Sequence, residues 1–129
     1  MRRKTGPPAA IVELVVARSQ GQCERCSQYL GDDSGEIHHR RNRGAGSAGR
    51  HWPSINKPQN LGRLCSACHH WVEMNPNGAR VTGWRISGWN ADPADVALVK
   101  TDGTRWLFGE DGGARQVGWP GLEDEPFSW

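Results

Sequence analysis

The chain has 129 residues, 23% of them charged, with a formal net charge of +2 and four cysteines. That length leaves room for one domain with a modest core that benefits from a staple. No stretch approaches the ~20 apolar residues of a membrane span. The apolar run Ala9 to Ala17 is broken by Glu13 and lacks a cleavage site, so membrane-spanning and secreted classes are set aside and a soluble, cytoplasmic protein is expected. The charge is uneven: residues 1–80 hold 12 Lys/Arg against 6 Asp/Glu, and residues 81–129 hold 4 against 8. Between Ile37 and Val72 lie six basic residues, all five histidines and no carboxylate, the composition of a surface that approaches phosphates.

In chain order, Pro7 and Pro8 suit a first helical turn, and Ile11, Leu14, Val15 and Arg18 follow at helical spacing, which predicts an amphipathic packing helix over 8–19. Gly21 ends it and leads into the turn Cys23-Glu24-Arg25-Cys26. From Tyr29 to Asn60 the chain is rich in Gly, Ser, Asn and Arg, with a short extended stretch over 36–40 and a glycine-rich loop over 44–49. A short helix is predicted over 66–74, stopped by Asn75-Pro76-Asn77-Gly78. Residues 81–129 carry five of the seven tryptophans. With Asp102-Gly103 as a two-residue turn, Val99 would face Trp106, Ala97 would face Phe108, and the like charges Lys100 and Arg105 would be opposed. Asp111-Gly112-Gly113 offers a further turn, so a three-stranded meander ending near Trp119 is expected, followed by an acidic tail, Glu123-Asp124-Glu125.

Two Cys-x-x-Cys pairs, Cys23/Cys26 and Cys65/Cys68, predict one structural zinc site: thiolates three positions apart on a tight turn both reach one ion at ~2.3 Å, and two such turns complete a tetrahedron. In a reducing compartment metal ligation is favoured over disulfides. The 38 residues between the pairs exceed ribbon spacing, so a segment has been inserted between the halves of the site. Four thiolates leave no open position on the ion, and chemistry must come from elsewhere.

The histidines are the candidates. His38-His39 lie in the inserted segment and His69-His70 directly follow Cys68; neighbouring strand residues point to opposite sides, so one of the first pair can ligate a metal while the other approaches a substrate. The runs Glu36-Ile37-His38-His39-Arg40, Asn60-Leu61 and Leu64-Cys65-x-x-Cys68-His69 together resemble the HNH endonuclease family, in the zinc-bearing version with a Cys-x-x-Cys on each side, and are most similar to the small HNH endonucleases of tailed bacteriophages. The resemblance covers residues 20–75. It implies an α+β fold of the ββα-metal, treble-clef-like type for a zinc-stapled nuclease core (21–78), to which the elements read above add an N-terminal packing helix (1–20) and a Trp-rich β-hairpin extension with an acidic tail (79–129).

The same resemblance implies residue roles. His38 and His69 would ligate one catalytic divalent metal such as Mg²⁺ or Mn²⁺, in addition to the structural Zn²⁺. His39 would be the general base on the attacking water, and Asn60 would brace the loop that orients it. Some relatives carry a further histidine where this chain has Glu73, which leaves open whether Glu73 binds the metal directly, through water, or not at all. Hydrolysis of a phosphodiester needs an activated water and a cation beside the departing oxygen, and an imidazole with an ordinary pKa of about 6.5 is largely neutral at pH 7. The family implies 5′-phosphate and 3′-hydroxyl ends.

Arg40, Arg41, Arg43 and Arg50 flank the glycine-rich loop and are expected to contact DNA phosphates, a solvated loop being the plainer alternative. His51 and His70 have no assigned role. A phage origin implies the host cytoplasm and a packaging partner, the large terminase subunit or the portal. The competing reading is a non-catalytic zinc-ribbon module that binds nucleic acid, and a third is a zinc-stabilised interaction domain.

Overall fold

The computed structural model describes residues 6–31, 34–42, 55–88 and 91–121. Arg43, Arg50, His51, the glycine-rich loop and the acidic tail lie outside the described residues. Within them the chain is a small α+β structure with two antiparallel sheets.

Helix α1 (Ala9–Ser19) begins after Pro8, whose carbonyl accepts from Ile11 and Val12, and ends where Gln20 turns left-handed at φ 53°. Its packing face is carried by Val15 and by a charged residue. Arg18, almost fully buried, donates to both carboxylate oxygens of Glu24 at 2.7 and 2.8 Å, to the carbonyls of Pro58 and Leu61, and stacks 3.6 Å from the Phe108 ring centroid. A buried guanidinium is tolerated only when its donors are met in this way. Leu14, by contrast, is 40% exposed.

Strand β1 (Glu36–His39) pairs antiparallel with β2 (Leu61–Leu64), placing His38 opposite Gly62 and His39 opposite Leu61. Helix α2 (Ser66–Met74) comes next, capped by the Cys65 sulfur, which accepts from the Cys68 amide. At Asn75 α2 ends as expected, but the chain does not then leave helix: Pro76 opens α3 (Pro76–Val81). Proline's fixed φ and missing N–H, which stop one helix, suit the first turn of the next.

The C-terminal sheet is the expected meander of β3 (Leu98–Val99), β4 (Arg105–Phe108) and β5 (Ala114–Val117), in that order. Its first register differs from the sequence expectation by one residue. Leu98 pairs with Trp106 and Val99 with Arg105, so three residues, Thr101 to Gly103, form the loop, with Gly103 at φ 86° and its amide on the Lys100 carbonyl. A three-residue loop closed by a left-handed glycine fits strand twist as well as a two-residue turn does. The one-residue slip removes the opposition of Lys100 and Arg105 and sends Leu98 and Phe108 into the core.

One buried cluster joins the three segments of the chain: Cys23, Leu64, Cys65, Cys68, Val72, Ala79, Trp84, Leu98 and Phe108. Trp84 is its largest member. Its ring lies so close to Gly62 that a Cβ there would stand 2.8 Å from Cζ3, and its indole N–H donates to the Val99 carbonyl. Gly62 therefore admits the tryptophan that ties the β1/β2 hairpin to the meander.

Candidate functional site

The four cysteines meet in one cage. Their sulfurs all lie within 4.8 Å of one another. Sulfurs ~2.3 Å from a tetrahedral ion stand about 3.8 Å apart, and Cys26 Sγ is 3.8 Å from Cys65 Sγ. Each knuckle turns an amide onto a sulfur, Cys26 N on Cys23 and Cys68 N on Cys65, and the Arg25 guanidinium donates to Cys68 Sγ at 3.3 Å while lying 3.8 Å over the Trp71 ring. Burial pushes the Cys26 and Cys68 thiols above their ordinary range; a bound cation reverses that tendency by favouring thiolates. The cage is thus a site that can hold a structural metal ion and suits zinc.

Beside it, where the end of β1 meets α2, is a cleft of about 190 Å³ lined by His38, His39, His69, Glu73, Asn42 and Arg85, among others. His38 and His69 approach edge to face with ring centroids 5.4 Å apart. Each ring has one nitrogen committed to an acceptor. His38 Nε2 is 2.7 Å from the Trp84 carbonyl, which can only accept, so Nε2 carries the proton and Nδ1 the lone pair. His69 lies between two carboxylates, with Nδ1 2.8 Å from a Glu36 oxygen and Nε2 3.5 Å from Glu73 Oε1. Burial holds His38 down at about 4, against the pull of the Trp84 carbonyl, so that ring is neutral at pH 7.

His39, half-buried on the same cleft, places Nε2 2.8 Å from Asn56 Oδ1. With that oxygen as acceptor, Nε2 donates and Nδ1 is free to take a proton. Asn60, fully buried, accepts from the Arg41 amide at 2.8 Å and donates to the carbonyls of Arg41 and Ile55. It thereby clasps the chain on either side of residues 43–54, while the direct contact to His39 belongs to Asn56. The two asparagines divide a task that the sequence assigns to Asn60 alone.

The arginines require a correction. Arg40 and Arg41, expected on the phosphate-facing surface, are 1% and 0% exposed. The Arg40 guanidinium donates to the carbonyls of Gly83, Gln59, Pro93 and Val96 at 2.6 to 3.0 Å, and Arg41 Nη2 donates to the Ala91 carbonyl at 2.6 Å. Carbonyls of short loops that cannot pair with one another need donors, and a planar guanidinium meets several at once. Arg63 is buried in the same manner, and Lys57 pairs with Glu110.

Sequence reading missed Glu36, Asn56, Trp84 and Arg85 as members of the site. Glu36 lies just before the His38-His39 pair and Asn56 just before Asn60, but Trp84 and Arg85 arrive from far along the chain. Among the described residues no helix is long and apolar enough to cross a membrane. No protein-family model matches the chain, and searches of curated proteins and of solved structures found no match either.

Proposed function

We propose that the chain is a metal-dependent HNH DNA endonuclease of the zinc-bearing ββα-metal type, similar to those of tailed phages. The observation that carries this reading is the convergence of His38, His39 and His69 on one cleft. A binding module has no need of three imidazoles gathered on one cleft.

Imidazole and carboxylate are donors suited to a divalent ion, and the His38 Nδ1 lone pair, the His69 ring and the Glu73 carboxylate border the same cleft. Such an ion, when bound, would supply positive charge to the departing oxygen. The protein's own groups do the rest. The Trp84 carbonyl and the Glu36 carboxylate orient the two ligating rings, the usual work of groups behind a metal ligand. His39 takes the proton of the attacking water at Nδ1, with Asn56 holding the opposite edge of the ring. Asn60 keeps the loop ends joined so that Asn56 stays in place. Zn²⁺ held by Cys23, Cys26, Cys65 and Cys68 would fix α2 against the first knuckle and so hold His69 against β1. A packaging partner, the large terminase subunit or the portal, rests on the phage resemblance alone.

The test is plasmid nicking with Mg²⁺ or Mn²⁺ by the purified zinc-loaded chain. Removal of a general base costs about 10²- to 10⁴-fold, so His39→Ala is expected to lose that much activity while keeping its zinc and thermal midpoint. Equal cleavage by wild type and His39→Ala overturns the assignment.

A further inference from the structure

We infer that Arg85 is the phosphate-gripping residue of the histidine cleft, its guanidinium binding a non-bridging oxygen of the phosphodiester to be cut. The inference rests on the nuclease reading and assigns to that site a substrate contact outside its sequence motif.

The lining of the cleft offers such a group. Its titratable lining is His38, His39, His69, Glu73, Arg40 and Arg85. Arg40 only walls it, since its guanidinium is committed to four carbonyls. Of the two guanidinium groups on the cleft, Arg85 is therefore the one able to meet an incoming anion. The Arg85 guanidinium makes no ion pair or hydrogen bond among the described residues, unlike those of Arg18, Arg25, Arg40 and Arg63. An uncommitted fork in a cleft of imidazoles is suited to bidentate contact with phosphate oxygens.

Its position is built rather than incidental. The Arg85 amide donates to the Ala79 carbonyl at 3.1 Å, and its neighbours are pinned on both sides: Trp84 N on the Ala79 carbonyl, Ile86 N on the Arg40 carbonyl. The same turn presents the Trp84 carbonyl to His38. Thus the stretch 84–86 orients a ligating ring with one backbone oxygen and sends the next side chain into the cleft.

The test compares wild type, Arg85→Gln and Arg85→Lys as full-length zinc-loaded chains. Binding to a short DNA duplex is read by fluorescence anisotropy across a salt series without added divalent ion, and cleavage is read with Mn²⁺. Loss of one phosphate contact lowers the slope of log K against log salt by about one, with about a tenfold loss of affinity. Arg85→Gln is expected to show both and to cleave more slowly, with unchanged zinc content. Arg85→Lys, which keeps the charge and loses the fork, is expected to keep the wild-type slope with a smaller loss of affinity, and it carries the test if Arg85→Gln does not fold. Wild-type affinity, slope and cleavage in Arg85→Gln overturn the role of Arg85 and leave the nuclease reading standing. An Arg85→Lys variant with the slope reduced also overturns it, since charge is then not what was lost. A wild type that neither binds nor cuts DNA overturns both.

Discussion

The cysteine cage and the histidine cleft meet at consecutive residues of one helix, Cys68 and His69, yet they are built on opposite plans. In the cage the donors converge on one another, and amides and Arg25 fill the outer positions of the sulfurs. In the cleft His38 and His39 are each held by one nitrogen so that the other stays open, and His69 lies between the carboxylates of Glu36 and Glu73. Successive helical residues point about 100° apart, so one step along α2 turns from a closed, stabilising arrangement to an open one. A scaffold site is satisfied from within, whereas a reactive site is satisfied on one side only.

The largest expected effect breaks the cage. Cys65→Ser removes a ligand and the cap of α2 together. Structural zinc sites supply about 10–16 kcal/mol of apparent binding energy, so the variant is expected to lose its zinc and the cooperative folding of the central segment, read by elemental analysis and hydrogen exchange. A zinc-free chain with native exchange protection would show that the cage is not a staple.

Next is Arg40, which lies behind the cleft. Leaving a buried acceptor unpaired costs about 1–3 kcal/mol, so Arg40→Gln should lower unfolding free energy by at least that much in a urea titration, because the carbonyls of Gly83, Gln59, Pro93 and Val96 lose a shared donor. A variant with unchanged stability but weakened DNA binding would return Arg40 to the surface role expected of it from sequence.

The cleft should also be sensitive to acid. His38 is held at about 4 in the folded chain, chiefly by burial, whereas an unfolded histidine titrates near 6.5. Between those values the unfolded state binds a proton that the native state does not, so stability is fully present above pH 6.5 and falls as pH drops towards 4. The difference corresponds to about 3 kcal/mol. Cage loss at low pH is common to wild type and His38→Gln, so the comparison isolates the ring: the acid slope should be shallower in His38→Gln. Identical slopes would place the His38 titration elsewhere.

The smallest effect concerns the outer contacts of the cage. Arg25→Gln removes the donor on Cys68 and the stack on Trp71. Loss of such an outer contact typically costs about 10- to 100-fold in metal affinity, and release of zinc to a chromophoric chelator is expected to quicken towards the lower end of that range. An unchanged rate would mean that the backbone amides alone hold the sulfurs.

Much of this was legible because it is short-range. The cysteine spacing located the cage, helical spacing located α1, α2 was placed from Ser66 to Met74, and turn residues marked the meander. The illegible parts depended on distant partners. Whether Asn75-Pro76 ends helical structure or divides two helices depends on how the residues after Pro76 pack, and the hairpin slipped by one residue because Gly103 closes a three-residue loop. The run Arg40-Arg41 reads as a basic surface until the carbonyls of Gly83, Pro93 and Val96 are known to lie around it.

By itself the sequence determined which donors exist and which of them are neighbours: two knuckles, a histidine pair, and Asn60 ahead of the second knuckle. Tertiary structure decided which are committed and which are free. It buried Arg40 and Arg41 because loop carbonyls away from water must find donors. It also brought the Trp84 carbonyl and Arg85 to the histidines, because Gly62 leaves room for the Trp84 ring and the core closes over it. Such choices come from packing and from meeting every buried polar atom, conditions that operate across the folded chain rather than along it.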